Sequence, residues 1–298
     1  MTPVSRRSML VGGIAAIASS VTAQSAMSAA SAQLWQKWAT NDPASRVVVD
    51  HQAWGNFLRR YLVDEPDGIS RLRYGEVSAA DRQALTRYVE DLSKVAVHAL
   101  NSAEQYAYWI NLYNALTVRV VLDRYPVASI REVSLGGSLI PDFITGGSGP
   151  WQAKLLQIAG EAVALDDIEH RILRPLLRDN RIHYAVNCAS IGCPALLPAP
   201  VTAANLNAML ERGARLYVNH PRAARAEDGG LTVSSIYKWY RADFGDSWQG
   251  VITHLRRYAN PSTTQMLAPF ETINADTYNW QLNDAATYAK TAQAPERV

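Results

Sequence analysis

Residues 102–122 constrain the fold more than any other stretch. Ser102-Ala-Glu-Gln105 has the spacing of a capping box, in which two side chains satisfy the first free amides of a helix. From there Tyr106-Ala-Tyr-Trp-Ile-Asn-Leu-Tyr-Asn114 continues to about Leu122, and Pro126 stops it. Apolar residues lie nearly all round this helix, so it must be buried. Its few polar side chains then need partners, or cost roughly 1–3 kcal/mol each. Seven residues after Glu104, Asn111 lies within about 20° of it around the axis, and Asn114 is on a neighbouring stripe. The stripe either faces a site, or Glu104 caps the helix while the asparagines tie down loops.

The rest of the pattern surrounds this helix. Residues 33–75 read as a helical opening segment, with Trp35 and Trp38 ahead of Trp54, Phe57, Leu58 and Tyr61 at helical spacing. A second helix is expected over 79–92, opened by Ser78 or Asp81. Residues 134–150 are rich in Gly and Ser and read as a loop. Asp166-Asp-Ile-Glu169 repeats the capping-box spacing ahead of a helix that Pro175 must kink. Arg181-Ile-His-Tyr-Ala-Val-Asn-Cys188 reads as a strand, followed by the loop Ser190-Ile-Gly-Cys-Pro194. Thr202 is expected to cap a helix to Tyr217, with strands at 231–234 and 277–282 and a helix over 250–258. Helices outnumber scattered strands, which predicts a helix-rich α+β domain with a small antiparallel sheet, not a doubly wound α/β fold.

The N-terminus carries a separate message. Ser5-Arg-Arg-Ser-Met-Leu10 precedes an apolar run to about Val21, the pattern of a twin-arginine export signal. The run is too short and too rich in Gly and Ala to span a bilayer. Ala30-Ser31-Ala32 offers small residues for cleavage, and Val21-Thr22-Ala23 is an earlier alternative. The expected organisation is a cleaved signal over 1–32 and one globular domain over 33–298, in the periplasm or otherwise exported. The chain holds 29 Lys and Arg against 27 Asp and Glu, and loss of Arg6 and Arg7 brings the two into balance. Neutrality argues against nucleic acid as a partner, and no stable membrane insertion is expected after cleavage.

Three residue types can carry chemistry. On a strand, Arg181, His183, Ala185 and Asn187 would share one face, and Ile182, Tyr184, Val186 and Cys188 the apolar one. A His on a polar face can deprotonate a nucleophile near neutral pH. Only two cysteines occur, Cys188 and Cys193. Acid, His and Cys are the parts of a thiol nucleophile with an oriented base. Strand parity puts Cys188 on the apolar face and favours Cys193. The alternative is a Cys188–Cys193 disulfide, closing a loop too short to stabilise much. The four-residue gap is longer than that of Cys-x-x-Cys oxidoreductases. No zinc-type spacing is present, His170 reads as a structural histidine, and Gly146-Gly-Ser-Gly149 lacks the lysine of a phosphate loop. No metal or cofactor is expected.

Tyr108-Trp-Ile-Asn-Leu-Tyr-Asn-Ala115, Asp166-Asp-Ile-Glu-His170 and His183-Tyr-Ala-Val-Asn-Cys-Ala-Ser190 with Gly192-Cys-Pro194 together resemble the domain-of-unknown-function 547 family. Trp54 to Tyr61, Arg124-Tyr-Pro126, Trp239 with Asp243-Phe244, and Tyr278-Asn-Trp-Gln-Leu282 extend the likeness, whose core is at about 95–225. The resemblance implies a rearranged papain-like or transglutaminase-like core, a central helix on a small antiparallel sheet. Glu104, His183 and a cysteine would converge there, with acid first and thiol last in the chain, and Cys188 as the favoured thiol. Fold likeness alone assigns no activity. The expectation is a periplasmic thiol-dependent hydrolase or acyl-transferase acting on a peptide or amide bond. Cys188 (or Cys193) would be its nucleophile, His183 its base and Glu104 the orienting acid. Asn111 or Asn187 would donate to the oxyanion. The alternative is a non-catalytic module binding a peptide-like or small-molecule ligand, with the cysteines in a disulfide.

Overall fold

Trp54, Phe57, Leu58 and Tyr61 recur at helical spacing, and all four are buried on one face of α1 (Gln52–Tyr61). The computed structural model describes residues 35–133 and 149–292. The segment read as an export signal, its expected cleavage site and all but the last two residues of the 134–150 segment lie outside the described residues. Trp35 and Trp38 flank and enter a 3-10 turn, Gln36–Ala39. After α1 the chain turns into an antiparallel hairpin, β1 (Leu62–Asp64) with β2 (Ser70–Leu72), so the opening segment is helical only in part. At α2 (Ala79–Ser93) the Ser78 hydroxyl accepts from the Asp81 amide, a regular N-cap.

The buried helix is α3 (Ser102–Leu122), with Tyr108, Trp109, Ile110 and Leu112 wholly enclosed. Its cap is Asn101, one residue before the predicted Ser102, and the Asn101 side chain accepts from the Glu104 amide. Asn caps as well as Ser, and Gln105 is then free to donate to the carbonyls of Thr40 and Val97. A second hairpin, β3 (Leu156–Ile158) with β4 (Glu161–Val163), leads to a π-helical stretch, Asp167–Leu173, which runs into α4 (Arg174–Leu177). Asp166 makes no cap bond here, whereas the Asp167 carboxylate accepts from the Ala164 amide. Pro175 has no amide to give, and the wider π turn just before it lets the helix continue without a break.

Residues 181–188 form no strand. Asp179 accepts from the Arg181 amide and opens a 3-10 turn, Asn180–Tyr184. Such a local side-chain bond competes with a sheet ladder. Ile182, His183 and Tyr184 are all buried, so the alternation in the sequence reflects burial on every side and not one apolar face. Strand parity therefore does not separate the two cysteines. Thr202 caps a turn at Asn205, one turn ahead of α5 (Leu206–Val218). The close approach of α5 to the 3-10 turn needs Gly213, where a Cβ would stand 2.7 Å from the Tyr184 carbonyl.

The C-terminal part holds a three-stranded sheet. In it β6 (Gly230–Ser234) pairs antiparallel with β5 (Ala224–Glu227) and parallel with β7 (Ala275–Thr277). The strand expected at 277–282 thus ends at its first residue, though Leu282 bridges Ser190. Helices α6 (Ile236–Trp239), α7 (Trp248–Tyr258), α8 (Pro261–Leu267) and α9 (Ala285–Ala292) complete the chain. The fold is α+β, helix-rich, with small, mostly antiparallel sheets. Two apolar clusters form, one around α1, α2 and α3, the other around β6, α6 and α7. The expected helix-on-sheet packing differs in detail. The main neighbours of α3 are α2, the π-helical stretch and α5, while the sheet packs on α6 and α8. Trp280 packs against both clusters. Among the described residues no helix is long and apolar enough to cross a membrane.

Candidate functional site

The two asparagines of the polar stripe of α3 are consumed in holding one loop. Asn114 accepts from the Asn187 amide and donates to the Ala185 carbonyl, both at 2.8 Å. Three residues earlier, Asn111 accepts from the Val201 amide (3.0 Å) and donates to its carbonyl (2.6 Å). Asn187 in turn donates to Pro194 O and accepts from the Ala189 amide. Each side chain replaces ladder partners that the irregular segment 185–201 lacks. The loop carries both cysteines. Directly after Cys188, Ala189 sits at φ 60°, a left-handed conformation that a side chain rarely adopts. Such strain persists only where the surroundings enforce it, and here the Asn187 clamp does.

The loop and its neighbours enclose a cavity of about 40 Å3 between the two clusters. His183 lines it from the 3-10 turn. Its ring stacks on Tyr240 at 4.2 Å, and its Nε2 lies 2.7 Å from Asp243 Oδ2. Arg174 fixes that carboxylate from the other side, with Nε at 2.6 Å and Nη2 at 3.1 Å. Burial works against the Asp243 anion, but the hydrogen bonds from His183 and Arg174 hold its carboxyl well below the usual range. Burial pulls His183 below its ordinary value, against the opposing effect of Asp243. The ring is then neutral near pH 7, with its proton on Nε2 toward Asp243 and Nδ1 left basic. The nearest carboxylate to Nδ1 is Glu169, whose Oε1 is 3.8 Å away and whose Oε2 accepts from the Tyr113 hydroxyl at 3.0 Å.

The two sulfurs differ. Both are free thiols, Cys193 buried and Cys188 half-buried. Cys188 Sγ lies 3.2 Å from Ser190 Oγ and 3.1 Å from Tyr278 Oη, while the Cys188 amide donates to Cys193 Sγ at 3.1 Å. The Cys193 thiol is the largest influence lowering the Cys188 pKa. Burial opposes it, and the Ser190 and Tyr278 hydroxyls add to the lowering. Burial and the neighbouring Cys188 push Cys193 well up. Cys188 is therefore the more acidic thiol of the pair, while the Cys193 thiol donates to the Val186 carbonyl at 3.7 Å.

Of the residues expected to act together, Cys188, Cys193 and His183 line one cavity, and Glu104, Asn111 and Asn187 do not. Glu104 accepts from the Val49 amide at 2.7 Å and ties the opening segment to α3. The acid on His183 is Asp243 instead. Among the described residues neither sulfur is hydrogen-bonded to His183, and the three side chains are brought together only as walls of the same cavity. Asp243, Glu169, Tyr240 and Tyr278 were not singled out as site residues by sequence reasoning. All but Tyr240 lie in short motifs that the sequence does display, Trp239 with Asp243-Phe244, Asp166 to His170 and Tyr278 to Leu282.

These elements have a counterpart in a known family. Residues 97–218 match the family model described as "Protein of unknown function, DUF547". The match takes in α3, the π-helical stretch, the cysteine loop and α5, and ends before Asp243 and Tyr278. No curated protein and no solved structure matches the chain.

Proposed function

We propose that the cavity is the active site of a thiol-dependent hydrolase or acyl-transferase acting on a peptide or amide bond. One observation carries the reading. An acidic thiol, Cys188, and a histidine anchored from behind by a carboxylate, His183 on Asp243, line the same enclosed space. In this scheme the Cys188 thiol passes its proton to His183 Nδ1 as the sulfur attacks the carbonyl carbon, and the amine is expelled with that proton from His183. Water or an acceptor then attacks the thioester, gives its proton to His183, and regenerates the thiol. Asp243 holds the imidazole in the tautomer and orientation this needs. The acid is therefore assigned to Asp243 and not to Glu104. Asn111 and Asn187 have both ends bonded to backbone and receive no part in the step. The likeness to a papain-like or transglutaminase-like core, and a periplasmic setting reached through the signal at 1–32, belong to the same proposal.

The test is acylation by p-nitrophenyl acetate. The reading expects a burst of about one nitrophenol per chain, with the acetyl group on the Cys188 peptide, and no burst in Cys188→Ala. No burst, or an acetyl group elsewhere, overturns it. The second reading, a binding module with a Cys188–Cys193 disulfide, is favoured by one observation, the contact of the two cysteines around the Cys188 amide. It requires that the purified protein hold that disulfide until reductant is added.

A further inference from the structure

The cavity has a charge and a wall that the thiol chemistry does not use. Asp166 and Glu169, three residues apart at the start of the π-helical stretch, both face it. The Arg174 guanidinium nearby is matched by Asp243, with which it makes two hydrogen bonds. Two carboxyl groups thus line the space beside two imidazoles, His170 and His183, with His170 Nε2 3.8 Å from Asp166 Oδ1. The rest of the wall is aromatic. Trp239 stacks on Trp280 at 5.5 Å, and Trp151 meets Trp280 edge-on at 5.7 Å. Aromatic faces attract cations, most strongly where water is excluded.

Unused hydrogen-bonding groups add an independent sign. Tyr240 is 6% exposed and lines the cavity, yet its hydroxyl makes no hydrogen bond among the described residues. Glu169 Oε1 makes no hydrogen bond among the described residues, with His183 Nδ1 3.8 Å away. Both residues line the cavity, where their oxygens can accept from a ligand. Asp166, Glu169 and Tyr240 offer three acceptors, and an alkylammonium has three N–H donors. The space, about 40 Å3, holds roughly three waters. That suits an ammonium and its first methylene, and is small for a guanidinium or a quaternary ammonium.

We propose that this cavity receives the primary ammonium of an alkyl amine, such as the end of a lysine side chain, against Asp166, Glu169 and the aromatic wall. The inference rests on the reading of this cavity as the substrate site, and specifies which substrates enter it.

Three tryptophans in the wall make emission a direct readout. The purified protein is titrated with n-butylammonium and, separately, with n-butanol, up to about 100 mM, which covers millimolar Kd values. A saturable change with butylammonium and none with butanol is expected. Glu169→Gln and Asp166→Asn, both near-isosteric, are expected to weaken butylammonium at least tenfold. An equal response to the two probes, no saturable response to the amine, or unchanged affinity in both variants overturns the proposal. The probe comparison uses unaltered protein, so it decides even if a variant misfolds. Failure of the thiol reading shows separately, in the acylation burst. Amine binding without a burst sinks the enzyme and keeps this inference, and a burst without amine binding does the reverse.

Discussion

A thiol becomes nucleophilic when its surroundings favour the anion, and a histidine becomes a base when one nitrogen is tied back and the other left open. Cys188 Sγ lies within hydrogen-bond distance of the Ser190 and Tyr278 hydroxyls, and His183 has Asp243 behind it. In the proposed reaction His183→Ala is expected to slow acylation of Cys188 by about 100-fold or more, the usual worth of a positioned base. Asp243→Asn is expected to slow it less while leaving the chain folded. Stopped-flow release of nitrophenol measures both, and a rate within twofold of the parent in His183→Ala removes His183 from the mechanism. The two cysteines and His183 could be picked out from sequence because nucleophile and base are rare types in this chain. Asp243 could not be paired with His183, since 60 residues separate them and only folding brings them together. Glu104 misled for the converse reason. An acid in the first turn of a buried helix has structural uses as well, and here it binds the Val49 amide.

Among the elements, α3 is the one the sequence specifies best, because a helix apolar on all sides has only one place to be. Its boundaries agree with expectation to within the cap residue. The segment 181–188 is specified worst. Its period-two alternation is shared by a strand and by an irregular segment buried all round, and the Asp179 bond to the Arg181 amide decides for the turn. What replaces the missing ladder is the Asn stripe of α3. Asn114→Ala would leave the Asn187 amide and the Ala185 carbonyl without partners. A loss of about 2–4 kcal/mol is expected from two buried unsatisfied groups, read as a lower urea midpoint at constant slope. Less than about 0.5 kcal/mol, the range of an ordinary surface change, would show that the loop does not depend on this clamp.

For the whole molecule, buried histidines set the response to acid. Burial lowers His51 and His254 from 6.5 to about 4, and each bonds a buried tyrosine hydroxyl. The folded state therefore keeps them neutral where the unfolded chain takes up protons. Their contribution is fully present above 6.5 and is lost as pH falls toward about 4, on the order of 3 kcal/mol each. Asp243, with its carboxyl held low, extends the loss below the ordinary Asp value of about 3.9. Urea midpoints between pH 7 and pH 4 should fall steadily, and His254→Gln should flatten the fall, whereas a flat parent profile would contradict the burial account. The balance of charge without Arg6 and Arg7 and the pattern around them bear on destination. Replacing Arg6-Arg7 by a Lys pair is expected to abolish export of a reporter fused to residues 1–40, if the twin-arginine route is the one used. Continued export of that fusion would point to another route.

The central claim is that Cys188 is the more acidic and reactive thiol of the pair and Cys193 the less reactive one. Its most direct test is iodoacetamide labelling of the purified protein without reductant, followed by mass spectrometry of the two cysteine peptides across pH. Cys188 should label first, with an apparent pKa below the free-thiol value of about 8.5, and Ser190→Ala and Tyr278→Phe should each raise that value. If neither cysteine labels until reductant is added, or if Cys188 titrates like a free thiol, the claim is wrong and the cavity is left as a binding site without a nucleophile.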